Sequence, residues 1–417
     1  MKYRYLVILV SLFFVLGSCT TQNKLNKLNV AKNYMEDFSG KFMQEQIFHI
    51  NDSISELSVR IQPLLIPQLK EKKLELYSYL NLTYAVYSSF NKKDIIQADA
   101  YKLSELLTFD QVDKQNITLT IPLKMEQNQP YLVLVSLQDP INKTNYLKYI
   151  RIVKTDEAAE NYKVLDENGK ILWQPWLNGQ KRIRIQYRYH DAKSIFLSYF
   201  QPKFSPALPP YSDVVPKEFL TDKSFESFEL QLINGESSLM ELPRKGLYRI
   251  HSKKEEISGK TILQLYDEYP SISSDAQKVF GLRYLTPQKE FATMLQSEPV
   301  STLKEFWFFE ERTEERSKEM MRTYYARMLR ANHLFTSYKE GWKTDRGMIF
   351  MVYGPPDHVY HEADREVWEY GPDANYNDLR FDFVIRSSKL HNQQWVLERN
   401  SSYKRSWYLM LENWRNN

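Results

Sequence analysis

Arg182-Ile-Arg-Ile-Gln-Tyr-Arg-Tyr189 alternates without a break. Ile183, Ile185, Tyr187 and Tyr189 fall on one side of an extended chain. Arg182, Arg184, Gln186 and Arg188 fall on the other, because successive side chains of a strand point to opposite faces. A helix would scatter the same residues around its circumference, so the octapeptide reads as a half-buried strand. The same period runs outward in both directions. Upstream it recurs at Leu57, Val59 and Ile61, along Leu74, Leu76, Leu80, Leu82, Tyr84 and Val86, in Ile117-Thr-Leu-Thr-Ile121, and over Tyr131–Leu137 and Leu147–Val153. Closer in, Tyr162–Leu165 and Lys170–Leu172 flank Asn168-Gly169, a hairpin signal. Downstream lie Ser194–Phe200, Phe228–Ile233, Gly246–Ser252 and Lys260–Tyr266. Short strands at this spacing predict two tandem β-sandwich domains of Ig-like kind, over residues 51–157 and 158–270. The proline-rich stretch Gln201–Pro216 is expected as a loop inside the second.

The period changes at both ends. Tyr34, Phe38, Phe42 and Met43 share one face of a mixed helical pattern across Lys32–Ile50. After Tyr269-Pro270 the pattern is helical again. Thr302-x-x-Glu305 has the form of a capping box ahead of Phe306 and Trp307. Met321, Tyr324, Tyr325, Met328, Ala331 and Phe335 then line one helical face between Ser317 and Phe335, a stripe that reads as core packing. Glu366–Tyr370, Leu379–Ile385 and Gln394–Leu397 predict a β-meander, followed by a terminal helix over Tyr403–Trp414. The fold class expected is multidomain and mainly β: two sandwiches, then an α+β module of helices and antiparallel meander over residues 271–417.

Composition removes several chemistries. The chain has 417 residues with 12 glycines and a single cysteine. Glycine at about 3% stands well below the usual ~7%. There is no G-x-x-x-x-G-K-[ST], no G-x-G-x-x-G and no G-x-S-x-G, so P-loop, Rossmann and nucleophile-elbow readings have no support. One cysteine makes no internal disulfide, redox pair or cysteine-based zinc site. The net charge of +4 is nearly balanced, so nucleic acid is not an expected partner.

Residues 1–18 read as a secretory signal. Lys2 and Arg4 precede Leu6–Leu16, an eleven-residue run broken only by Ser11, and Gly17-Ser18 follow. At about 1.5 Å per residue that run cannot cross a ~30 Å hydrocarbon core. The one cysteine, Cys19, comes next. Leu16-Gly-Ser-Cys19 resembles the lipobox of bacterial lipoproteins, in which the cysteine is thioether-linked to diacylglycerol and becomes the new N-terminus. That resemblance implies a membrane partner through the lipid on Cys19, with residues 19–50 as tether and short helix. By the same resemblance Thr20, in place of Asp, points to the outer membrane. No acidic cluster follows in Thr20–Val30, and the expectation is a periplasm-facing protein.

The remaining feature is Gly341-Trp-Lys-Thr-Asp-Arg-Gly347, then Met348–Tyr353, then Gly354-Pro-Pro-Asp357. Four of the 12 glycines lie between Gly341 and Gly371. The reading is helix end, turn, strand, turn: Gly341 as helix terminator, Gly347 at positive φ, Met348–Tyr353 as strand, and Gly354-Pro355-Pro356 reversing the chain. Gly341, Trp342, Thr344, Asp345, Arg346, Gly347, Tyr353, Gly354, Pro355, Pro356 and Asp357 together resemble the motif that names the GWxTD domain, and Val367-Trp-Glu-Tyr370 fits its following strand. The resemblance covers about residues 275–417. It implies a lipoprotein leader and N-terminal β-domains ahead of the module, and supplies no reaction.

Two chemistries compete for these residues. Asp345 and Asp357 with His358 would make an acid–base centre, and His358 with His361 a metal site. The structural alternative has Trp342 plugging a core, Thr344 and Asp345 bonding turn amides, and Arg346 paired with Asp357 or another carboxylate. His358 and His361 are expected in a polar hairpin loop. The basic row Arg182, Arg184 and Arg188 reads as a solvated face or as a site for acidic partners. No cofactor is expected. The function that emerges is a lipid-anchored envelope protein that holds other envelope proteins without catalysis. The alternatives are a periplasmic hydrolase centred on Asp345 and Asp357, and a glycan binder using exposed Tyr and Trp.

Overall fold

The computed structural model describes residues 25–35, 43–62, 80–103, 116–140, 144–179, 182–201, 204–214, 226–254, 258–371, 379–388 and 391–416. The leader and Cys19 lie outside the described residues. The chain divides into two compact units, Met1–Tyr162 with Asp357–Trp368, and Lys163–Pro356 with Glu369–Asn417.

The N-terminal part of the first unit contains, among the described residues, seven strands: β1 (Met43–His49), β2 (Ile54–Ile61), β3 (Asn81–Tyr87), β4 (Ile95–Lys102), β5 (Ile117–Lys124), β6 (Pro130–Asp139) and β7 (Thr144–Val153). Among the described residues they form a three-stranded sheet, β1-β2-β5, and a four-stranded sheet, β4-β3-β6-β7. All of their pairings are antiparallel. Leu57, Val59, Ile117 and Ile121 from one sheet share a core with Leu82, Val86, Val133 and Val135 from the other. This is a β-sandwich. The alternation that predicted β5 is clean, with Ile117, Leu119, Ile121 and Leu123 buried and the residues between them exposed. β6 is buried on both faces, because Leu132 and Leu134 pack under Leu25 on the side away from the main core.

Helix is expected over 32–50, and the structure differs. Ala31–Tyr34 is a single 3-10 turn, and Met43–His49 is an edge strand of the sandwich. The tether assigned to 19–50 is therefore folded from Leu25 onward wherever it is described. β4 is a strand that the sequence did not announce.

The second unit holds β8 (Tyr162–Asp166) from Lys163 onward, β9 (Trp176–Asn178), β10 (Arg182–Tyr187), β11 (Ser194–Phe200), β12 (Glu226–Ile233), β13 (Glu236–Ser237), β14 (Met240–Glu241), β15 (Gly246–His251) and β16 (Lys260–Leu265). Among the described residues these link in one ladder, β14-β10-β13-β12-β11-β15-β16-β9, with β8 on β10. The Asn168-Gly169 turn forms as expected: Gly169 has φ +75°, and the Asp166 carboxylate accepts from the amides of Asn168 and Lys170. On β10, Ile183, Ile185 and Tyr187 are buried. The basic row does not act as a unit. Arg182 pairs with Glu167 at 2.8 Å, Arg184 reaches Glu236 at 3.5 Å, and Arg188 is buried with its guanidinium over Tyr189.

Helices follow without a break between compact units at residue 270: α1 (Asp275–Gly281), α2 (Gln288–Met294), α3 (Pro299–Trp307), α4 (Glu314–Phe335) and α5 (Asp345–Tyr353). The capping box lies elsewhere than expected. Ser274 and Gln277 make it at α1, whereas Thr302 lies inside α3, which Glu298 caps. The buried stripe of α4 runs Met320, Tyr324, Met328, Ala331 and Phe335, with Met320 in place of Met321. Met348–Tyr353 is helix, not strand. Met348 through Val352 are all 0% exposed, and a helix buried all round loses its period. α4 ends at Phe335, so Gly341 terminates no helix.

The chain then returns to the first unit. β17 (His358–His361) and most of β18 (Arg365–Tyr370) belong there, and the division falls between Trp368 and Glu369. The Val30 amide donates to the Val359 carbonyl at 2.9 Å, and the Val359 amide donates to the Asn29 side chain at 2.9 Å. His358 and His361 thus lie in a strand and not in a polar loop. The second unit is completed by the hairpin of β19 (Leu379–Ser388) and β20 (His391–Leu397), and by α6 (Tyr403–Asn416). No helix among the described residues is long and apolar enough to cross a membrane.

Candidate functional site

The motif is a knot of close backbone contacts. A 3-10 turn at Gly341–Lys343 crosses α4 at Ala331 and Asn332. A Cβ on Gly341 would fall 2.7 Å from the carbonyl carbon of Ala331 and 2.8 Å from Cα of Asn332. A Cβ on Gly347 would fall 2.9 Å from both the carbonyl carbon of Gly341 and Cα of Trp342. Gly347 sits inside α5, so its role is lack of bulk and not the positive φ expected from the sequence. Positive φ belongs to Gly354, at +90°, where the chain leaves α5 ahead of Pro355 and Pro356.

The side chains between the two glycines lock the knot. Trp342 is 2% exposed and meets Phe280 and Tyr284 edge-on, at 5.5 and 5.9 Å between ring centroids. Its amide donates to Asn332 Oδ1, and its carbonyl accepts from Tyr284 OH at 2.9 Å. Burial pushes the Tyr284 phenol far above its ordinary range, so it remains a donor. Thr344 caps α5: Oγ1 accepts from the Gly347 amide at 3.0 Å and donates to the Gly341 carbonyl at 2.7 Å.

Asp345 opens α5, where the helix dipole favours a negative charge. Its Oδ2 accepts from the Leu397 amide at 2.9 Å and from Arg399 at 3.1 Å, and its Oδ1 accepts from Arg399 at 2.5 Å. Arg399 also donates to the Leu208 carbonyl, in the proline-rich loop expected within the second sandwich. Arg346 lies with its guanidinium over Phe335 and Trp395. The Tyr353 ring packs on Phe381 at 5.1 Å and Tyr370 at 5.6 Å, and burial pushes its phenol up to about 12.

Asp357, His358 and His361 belong to the first unit and Asp345 to the second, and each is held within its own. The Asp357 carbonyl accepts from Asn29. His358 and His361 are three apart on β17, and an odd separation on a strand points two side chains to opposite faces. That is poor geometry for chelating one ion. Among the described residues no group of three or more His, Cys, Asp or Glu is placed to hold a metal.

His361 has other neighbours, all within the first unit. It is 8% exposed, with Nδ1 3.2 Å from Arg151 and Nε2 3.6 Å from Glu366, and its ring lies against Tyr149. Glu366, 1% exposed, accepts from Tyr34 OH at 3.2 Å and from the Trp368 indole at 2.6 Å. Arg151 and Arg399 were not singled out from sequence, Tyr34 was read only as part of a helical face, and Glu366 only as the start of a strand. Alternation along Glu366–Tyr370 puts Glu366 and Trp368 on one face, a signal for Glu366 alone. A cavity of about 530 Å³ in the second unit is lined by Glu290, Met294, Glu305, Phe306, Phe309 and Arg415 among others, none of them a motif residue.

Residues 246–416 match the family model of the GWxTD domain. The chain carries a GWxTD domain. The match begins at β15, so the domain takes in the last two strands of the β region as well as the helices. No curated protein matches the chain in sequence. Among solved structures, the C-terminal domain of the AgI/II polypeptide BspA from Streptococcus agalactiae is 11% identical, covering 53% of this chain and 99% of its own, with a TM-score of 0.19. CBD12 from CALX1.2 is 10% identical, covering 58% and 85%, with a TM-score of 0.13. At these scores neither bears on fold or function. The GWxTD signature is thus a set of packing residues: two glycines for backbone approach, Trp342 for the core, Thr344 for the cap, and Asp345 to bind the start of α5 to the end of β20.

Proposed function

We propose that this protein is a lipid-anchored component of the bacterial outer membrane, facing the periplasm, whose GWxTD domain is a rigid, non-enzymatic interaction module for other envelope proteins. The observation that carries the reading is the employment of Asp345. Three hydrogen bonds to Leu397 and Arg399 occupy both of its carboxylate oxygens, and its side chain is 11% exposed. A general base or metal ligand needs a lone pair open to substrate or ion. His361, the buried histidine of the hydrolase alternative, is likewise enclosed by Arg151, Glu366 and Tyr149. The anchor is supported by the leader and by Leu16-Gly-Ser-Cys19. Two experiments test the reading. Cys19→Ala should abolish incorporation of labelled fatty acid into the protein, and continued acylation would refute the anchor. Affinity purification from detergent-solubilised envelopes should recover defined protein partners, and recovery of the chain alone would refute the interaction module.

A further inference from the structure

Folded structure begins very close to the anchor. Leu25 is 1% exposed; its amide donates to the Phe90 carbonyl at 3.0 Å, and its carbonyl accepts from Tyr149 OH at 2.8 Å. Phe90 lies in the connection between β3 and β4, and Leu25 packs with Tyr87, Leu132 and Leu134 from the same sheet. Only Thr20–Lys24 stand between Cys19 and Leu25. At ~3.6 Å per residue the chain can span about 20 Å over that interval, so a lipid on Cys19 lies within that distance of this end of the sandwich.

The residues presented there have a definite chemistry. Lys27 is exposed on the turn that carries Leu25. Lys92 and Lys93 stand in the β3–β4 connection, and Ile95 and Ile96 follow at the start of β4, 39% and 44% exposed. None of the three lysine ammonium groups makes an ion pair among the described residues. The one carboxylate of the connection, Asp94, accepts from Ser89 Oγ at 2.5 Å. Adjacent isoleucines on an edge strand are a liability in water, since they offer an apolar template for pairing. Basic residues beside exposed apolar ones, close to an acyl anchor, are the composition that holds a protein surface at a headgroup layer.

We infer that this end of the first sandwich is a lipid-facing surface. Lys27, Lys92 and Lys93 meet anionic phosphate headgroups, and Ile95 and Ile96 enter the boundary between headgroups and acyl chains. The inference rests on the proposal that Cys19 is the lipid anchor. It adds a second attachment, which sets the orientation of the sandwich on the bilayer. Each lysine contributes about fivefold to partitioning onto an anionic surface.

The test uses the chain lacking residues 1–19, which retains every described residue, and co-sedimentation with vesicles. The chain should bind vesicles of phosphatidylcholine mixed with phosphatidylglycerol, more weakly as salt is raised, and should leave pure phosphatidylcholine unbound. Lys92→Gln with Lys93→Gln should lower binding by roughly 25-fold at an unchanged unfolding midpoint. Lys289→Gln with Lys304→Gln, in the second unit, should have no effect. Equal binding to both vesicle types, full binding by the Lys92/Lys93 variant, or an equal loss in the Lys289/Lys304 variant would each overturn the inference. Labelled fatty-acid incorporation, present in the wild-type protein and lost in Cys19→Ala, scores the anchor separately, so failure of the anchor and failure of the surface are told apart.

Discussion

Replacing Asp345 by alanine removes three hydrogen bonds and leaves the Arg399 guanidinium, whose side chain is 10% exposed, with the Leu208 carbonyl as its remaining acceptor here. Deleting one partner of a buried ion pair costs about 3–5 kcal/mol, chiefly because the other charge stays buried. With both side chains about one-tenth exposed, solvent offsets little of that. Asp345→Asn keeps one acceptor oxygen for the Leu397 amide, removes the charge and turns the other oxygen into an amide donor facing Arg399, at a cost below that of alanine and at least the gap of about 1–2 kcal/mol between charged and neutral hydrogen bonds. For a unit of this size each kcal/mol moves the melting point by about 2–4 °C, so Asp345→Ala should melt roughly 6–20 °C early and Asp345→Asn less so. Urea and thermal unfolding followed by tryptophan fluorescence would report it, since Trp342, Trp395, Trp407 and Trp414 all lie in this unit. Asp345→Ala unfolding within about 0.5 kcal/mol of wild type would refute the structural role, and the hydrolase reading would regain its best candidate.

Two further outcomes follow from geometry. Gly347→Ala drives a methyl group into the backbone carbonyl of Gly341 and should cost at least the ~1–3 kcal/mol of an overpacked core; a wild-type urea midpoint would show that the α5–turn contact is loose. His251 is 0% exposed, with Nδ1 2.7 Å from the Lys253 carbonyl and Nε2 2.7 Å from Ser198 Oγ, so the neutral ring donates to one and accepts from the other. Burial, with Arg249 adding to it, holds its pKa below the ordinary value. The unfolded chain therefore binds the extra proton first as pH falls, and this stabilisation is complete above about pH 6.5 and declines below it. His251→Gln should flatten the stability profile between about pH 7 and pH 5 relative to wild type; identical slopes would exclude the histidine as the cause.

Strands were legible in the sequence where one face is wet. β10 and β5 alternate because a sheet surface meets solvent on one side and core on the other. That signal disappears once an element is enclosed. Met348–Val352 is five apolar residues in a row, and such a run reads equally as a central strand or as a buried helix. Met43–His49 misleads in the other direction. Met43 and Ile47 are four apart and buried, a helical spacing, while Gln44, Glu45 and Gln46 between them are half-buried on an edge strand. The motif was legible as a unit and its inner roles in part: Trp342 and Thr344 do what their chemistry suggests, whereas the service of Gly347 depends on Gly341 passing over it. Arg399 lies 54 residues from Asp345, and Glu366 lies 332 from Tyr34, so no local pattern could have announced either pair.

The return of Asp357–Trp368 to the first unit orders events during synthesis. A ribosome works from the N-terminus, and the first seven strands emerge long before residue 357. Until then the Val30 amide, the Asn29 side chain and the Tyr34 hydroxyl lack the partners that β17 and β18 bring. The first unit is thus finished only after nearly nine-tenths of the 417 residues exist, with most of the GWxTD domain already made. A product cut short before residue 357 has an unclosed first unit as well as a missing end, which marks incomplete chains at the end of the molecule made first.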